Sequence, residues 1–200
     1  MCESDFLVFF STYSESSLVE TFYWTTEVSL EMGKRLGDME SIKKKIMIML
    51  NEEGFEFKEI GDPNTHFNLI ITAGGLPYNI FQNVSKRDSV FIAGSVKLSS
   101  DQIILYSKME QSQKKEFFGN LRISLLTRPS LGDFKIKTKP PEYIEEVFLS
   151  SKPIFHTELE KETLFSTLFE IHKCSMMVTW MFEETVGVAS RANSLHLFYA

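Results

Sequence analysis

His66, His156, His172 and His196, with Cys2 and Cys174, are the residues of this 200-residue chain best suited to metal binding or nucleophilic chemistry. A structural zinc site draws its ligands from pairs such as Cys-x2–4-Cys and His-x3–5-His. No two of these residues stand at such a spacing, and none joins Cys, Asp or Glu in such a ligand pair. His172 and Cys174 stand two apart, which on a helix turns them to different faces. His172 is then an ordinary helix-face residue, and Cys174 a small buried hydrophobe. His66 follows a turn and caps a strand. His156 adjoins Thr157-x-x-Glu160, which has the form of a helix capping box. The neighbouring carboxylates Glu52-Glu53, Glu145-Glu146 and Glu183-Glu184 point apart, by about 100° on a helix or to opposite faces of a strand. They are not ready-made acid/base pairs. Gly74-Gly75 and Gly94 make neither a phosphate loop nor a dinucleotide fingerprint, and no Gly-x-Ser-x-Gly elbow occurs. No metal, cofactor or catalytic site is expected. An enzyme would need groups that meet only in the fold, with His66, Arg128 and Glu145 as candidates.

The charge balance narrows binding partners. A formal net charge of -6 opposes broad contact with a phosphate backbone, which needs excess Lys and Arg. Locally, Arg122 and Arg128 follow Phe117-Phe118, and Lys135, Lys137 and Lys139 follow Phe134. Cations beside exposed aromatics can hold stacked bases, so a nucleic-acid-binding accessory protein using these five residues is the alternative function. Two patterns oppose it. Phe117, Leu121 and Leu125 have core spacing, and Phe134-Lys135-Ile136-Lys137 alternates like an edge strand guarded by lysine. Cys2 and Cys174 are not expected to bridge, which fits a reducing cytoplasm. No apolar run approaches the ~18 residues of a membrane span, and Phe6–Phe10 is too short for a signal core.

The stretch Glu158–Val186 has no Pro or Gly and is apolar on two sides. Leu164, Leu168, Ile171, Val178 and Phe182 form one helical stripe; Phe165, Phe169, Met176 and Trp180 form a second. Two apolar faces need two partners, a sheet of the same domain and a second chain. The expected function is therefore a non-enzymatic protein-interaction module, a chaperone-like homodimer with an unidentified protein client.

Around that helix the other elements fall into order. Ile42, Ile46, Met49 and Leu50 predict a helix closed by Gly54. Strands are expected at Phe55–Lys58, His66–Ala73, Tyr78–Val84 and Val90–Leu98, joined by turns at Gly61-Asp62-Pro63-Asn64 and Gly74-Gly75. Such short connections imply antiparallel pairing. Ser99 opens a short helix and Ser112–Thr127 a longer one, stopped by Arg128-Pro129. Phe134–Lys137 and Tyr143–Leu149 are further strands. The expected fold is α+β, an antiparallel sheet of about five strands flanked by helices, with one domain over residues 39–187. Residues 1–38 form an N-terminal extension, with Met32 or Met39 a candidate true start, and residues 188–200 form a tail.

Four stretches stand out together: Ile46-Met47-Ile48-Met49-Leu50-Asn51-Glu52-Glu53-Gly54, His66-Phe67-Asn68-Leu69-Ile70-Ile71, Val178-Thr179-Trp180-Met181-Phe182 and, the most specific, Asn120-Leu121-Arg122-Ile123-Ser124-Leu125-Leu126-Thr127-Arg128-Pro129. On these stretches residues 40–187 resemble a mainly archaeal family, domain of unknown function 2299. The resemblance implies a fold like the small type III secretion chaperones, which commonly pair as homodimers. It implies no activity.

Overall fold

The computed structural model describes residues 40–139 and 143–186. The extension 1–38, the tail 188–200, Cys2 and His196 lie outside them. Two units divide the chain, Met1–Lys44 and Lys45–Ala200. The first contributes the opening of helix α1, residues 40–52, where Lys43 pairs with Glu40 at 3.4 Å. The second holds the remaining elements.

Local chemistry sets the element boundaries. Gly54, at φ 74°, ends α1; the Phe55 N–H reaches Leu50 O at 2.9 Å and the Gly54 N–H reaches Asn51 O at 3.0 Å. These are the two bonds of a Schellman cap. Strands β1 Phe57–Glu59, β2 Thr65–Ala73, β3 Leu76–Asn83 and β4 Ser89–Lys97 follow as an antiparallel meander. Asp62 Oδ1 accepts the Asn64 N–H at 2.9 Å in the first turn. Gly74 and Gly75 take φ 55° and 78° in the second, a two-residue hairpin that requires positive φ at both positions. Helix α2, Ser100–Lys108, is capped reciprocally by Ser99 and Gln102, with bonds of 3.2 and 2.9 Å. Helix α3, Gln111–Leu126, stops just before Arg128-Pro129.

The chain returns as β5 Leu131–Lys139 and β6 Tyr143–Ser151, and β6 inserts between β5 and β4. Strand β7, Ile154–Phe155, pairs with Ser89 and Val90 of β4. The fold is α+β as expected, with seven strands among the described residues in place of about five: the six segments read as strands all form, and β7 is added. The uncounted β7 has two residues, too few to show alternation. The proposed capping box Thr157-x-x-Glu160 does not form. The His156 N–H is bonded to Asp88 O at 2.9 Å, and residues His156–Glu158 make a 3-10 turn. Helix α4 therefore begins later, at Lys161, and runs to Val186.

Directly opposed residues share a face of an antiparallel sheet. Ile71, Tyr78, Gly94 and Leu149 form one such row, and Leu69, Ile80 and Ile92 another. All are buried. Helix α4 packs across β4 and β6, and its inner stripe of Leu164, Leu168, Ile171, Val178 and Phe182 is at most 1% exposed. Near its end Phe182 meets Phe117 of α3 at 4.7 Å between ring centroids and Tyr106 of α2 at 6.5 Å. This aromatic cluster ties all three helices together.

Candidate functional site

Helix α4 carries the most unusual surface. With its inner stripe in the core, Phe169 and Trp180 are left 53% and 58% exposed, and Met176 is half-buried between them. Phe169 and Trp180 are eleven residues apart and on one side of the helix, so they span roughly 16 Å at 1.5 Å per residue. Phe165, expected in the same stripe, is instead buried at 9% and stacks on Phe55 with centroids 5.6 Å apart. Helix α3 adds two exposed apolar side chains, Ile123 at 62% and Leu126 at 73%.

Beneath α4 lies a polar contact that the sequence did not disclose. Tyr78 Oη and His172 Nδ1 are 2.9 Å apart, with the rings in an edge arrangement. Two glycines make room for it. A Cβ on Gly74 would lie 2.5 Å from His172 Cε1, and one on Gly94 would lie 2.7 Å from Tyr78 Cε1. Burial pushes the Tyr78 phenol above its ordinary 10.0, only partly opposed by a hydrogen bond with Ser175. Burial also holds His172 below its ordinary 6.5. Both are therefore neutral near pH 7, and the pair locks β3 to α4 without generating a nucleophile. The neighbouring Cys174 is buried, and burial raises its thiol too, so it is not a thiolate. A mid-strand glycine facing an aromatic was the signal that could have revealed this contact.

A second buried polar contact joins β3 to the 3-10 turn. Gln82 Nε2 donates to Arg87 O at 2.6 Å and lies 2.9 Å from His156 Nε2. His66 Nε2 is buried with no hydrogen-bond partner, and burial, reinforced by Arg87, lowers its pKa. His66 at the start of β2, Arg128 after α3 and Glu145 in β6 occupy separate elements. Arg128 donates to Met177 Sδ at 3.2 Å, and Glu145 pairs with Lys137 at 3.1 Å. Among the described residues no group of three His, Cys, Asp or Glu could hold a metal ion, and no helix is long and apolar enough to cross a membrane.

The five cations considered for nucleic acid are spread over α3, the turn after it and β5. Arg122 lies over the Phe118 ring on α3, 4.4 Å from its centroid, and Arg128 contacts α4. Lys135, Lys137 and Lys139 belong to β5. Lys135 stands opposite Phe148, and Lys137 is engaged by Glu145. The Lys139 side chain lies outside the described residues.

No curated protein matches the chain by sequence. A crystal structure of an uncharacterised protein from Methanothermobacter thermautotrophicus is similar at a TM-score of 0.68 and 24% identity, covering 73% of this chain and 99% of that one. That likeness supports the fold alone. The family described as uncharacterised conserved protein (DUF2299) matches residues 42–182, which takes in α1, the sheet, α2, α3 and nearly all of α4, and the chain belongs to that family.

Proposed function

We propose that this protein is a non-enzymatic interaction module that works as a homodimer, with Phe169, Met176 and Trp180 of α4 against the same residues of a second copy. The observation that carries this is the exposure of Phe169 and Trp180 on a helix whose other face is already committed to the core. Aromatics buried in an interface, Trp above all, carry much of its energy, and a twofold contact would set this stripe against the same stripe of a second copy. A sheet-and-helix dimer of this type would hold an extended or amphipathic protein client, the chaperone-like use of such a fold.

Light scattering after size exclusion tests the self-association. The wild-type chain should elute with the mass of two copies, and Trp180→Asp with the mass of one, its far-UV circular dichroism unchanged. A wild-type monomer at tens of micromolar, roughly the range where a weak dimer populates, would sink the proposal.

A further inference from the structure

A cleft of about 370 Å³ opens beside α3, away from the exposed stripe of α4. Tyr106, Phe118 and Ile144 supply its apolar wall, and Lys114, Lys115 and Arg122 its charge. Among the described residues no acidic side chain lines it, in a chain of net charge -6. Two of the cations are placed by the aromatics. Arg122 Cζ sits 4.4 Å from the Phe118 centroid, and Lys114 Nζ sits 5.8 Å from that of Tyr106 while donating to Ser107 O at 2.9 Å. Both distances fall within cation–π range. An arginine held over a ring keeps its N–H edge available for a carboxylate or phosphate.

Gly119 is the second observation. It lies inside the 16-residue helix α3 and also lines the cleft. Glycine in a helix interior is costly relative to alanine, so its presence calls for a reason. Backbone conformation gives none, because Gly119 is not one of the positive-φ glycines, which among the described residues are Gly54, Gly74 and Gly75. Packing gives none either, because a Cβ on Gly119 would meet nothing within 4 Å. What the missing side chain does is leave the cleft clear.

The geometry points to a binding site for a small organic anion with an aromatic body. Its phosphate or carboxylate is held by Lys114, Lys115 and Arg122, its ring lies beside Phe118 above the buried Tyr106, and Gly119 gives it room. The volume is near the lower end of ligand pockets, roughly 300–1,000 Å³, which suits a single compact ligand. This site is independent of the α4 stripe, so either proposal can fail alone.

Anilinonaphthalene sulfonate, an aromatic anion whose fluorescence rises on binding, is a direct probe for the full chain. One saturable site is expected. Gly119→Phe should abolish it, and the pair Lys115→Glu with Arg122→Glu should weaken it tenfold or more. Trp180→Asp should leave unchanged the probe signal that phenyl phosphate or benzoate displaces, which separates the cleft from the α4 stripe. Competition assigns the anion: displacement by phenyl phosphate marks a phosphate site, and displacement by benzoate a carboxylate site. Should Gly119→Phe fold poorly, Gly119→Leu replaces it and should weaken the probe tenfold or more; unchanged probe affinity there, or a thermal midpoint lowered by Gly119→Ala, would overturn the argument. Probe binding indifferent to the charge reversals, or displaced by neither competitor, would also overturn it.

Discussion

Replacing Gly94 with alanine puts a methyl group into the ring of Tyr78. The added Cβ would lie 2.7 Å from Cε1 and 2.8 Å from Cδ1. The ring has little freedom to retreat, being 1% exposed and held at its hydroxyl by His172 at 2.9 Å. Overpacking of this kind costs about 1–3 kcal/mol, and the fixed ring puts Gly94→Ala in the upper half of that range. Alanine returns roughly 0.5–1 kcal/mol of backbone entropy in a strand, leaving a net loss of about 1–2.5 kcal/mol. In urea this moves the unfolding midpoint down by roughly 1 M at an unchanged slope, given slopes of about 1–3 kcal/mol per molar. A double-mutant cycle isolates the cause. With Tyr78→Val already in place the clash is gone, so Gly94→Ala should be neutral or stabilising there, for a coupling of about 2 kcal/mol. Costs that add within about 0.5 kcal/mol, the usual bound for independent sites, would refute the steric account.

Two further outcomes follow from the packing and the buried histidines. Phe182→Ala removes the ring that joins α4 to Tyr106 and Phe117 and should cost about 3–5 kcal/mol, read as a large fall in thermal midpoint; a loss under about 1.5 kcal/mol would mean the cluster closes over the gap. His172 and His66 both sit below 6.5 in the folded chain, His172 through burial and His66 through burial and then Arg87. The unfolded chain thus binds more protons near that pH. Stability should be full above about pH 6.5 and fall as pH drops below it, by at most about 1.4 kcal/mol per unit for each group. His172→Gln should make that fall shallower, and an identical pH profile would refute the assignment.

The sequence made visible those features that short-range chemistry settles. Gly54, Gly74-Gly75 and Ser99 each announce a cap or turn through a residue type favoured at that position. The inner stripe of α4 was visible because burial repeats every three or four residues from Leu164 to Phe182. The second stripe was less clear. Phe169 and Trp180 are open to solvent, but Phe165 is covered by Phe55, whose approach depends on where β1 starts. Strand β7 was hidden because two residues carry no periodicity, and with it went the start of α4. Tyr78 and His172 are 94 positions apart, and only the sheet register brings them together. The basic cleft was equally hidden. Arg122 was visible as a cation near Phe118, yet its companions Lys114 and Lys115 lie on earlier turns of the same helix, where they look like a solvated surface.

Strand β4 also divides the folding problem in time. On one side it joins β3 through partners such as Phe81 and Phe91, a short loop to close. On its other side its partners are β6 and β7, as in Ala93 with Ser150, reached only after α2, α3 and β5 have been threaded past. Closing the longer loop costs more entropy before any contact rewards it. The meander can thus collapse while the ribosome is still making the rest of the domain, with one flank of β4 exposed. The second half of the chain completes that flank, so a nascent or truncated chain ending before β6 presents a bare, apolar strand edge to its surroundings.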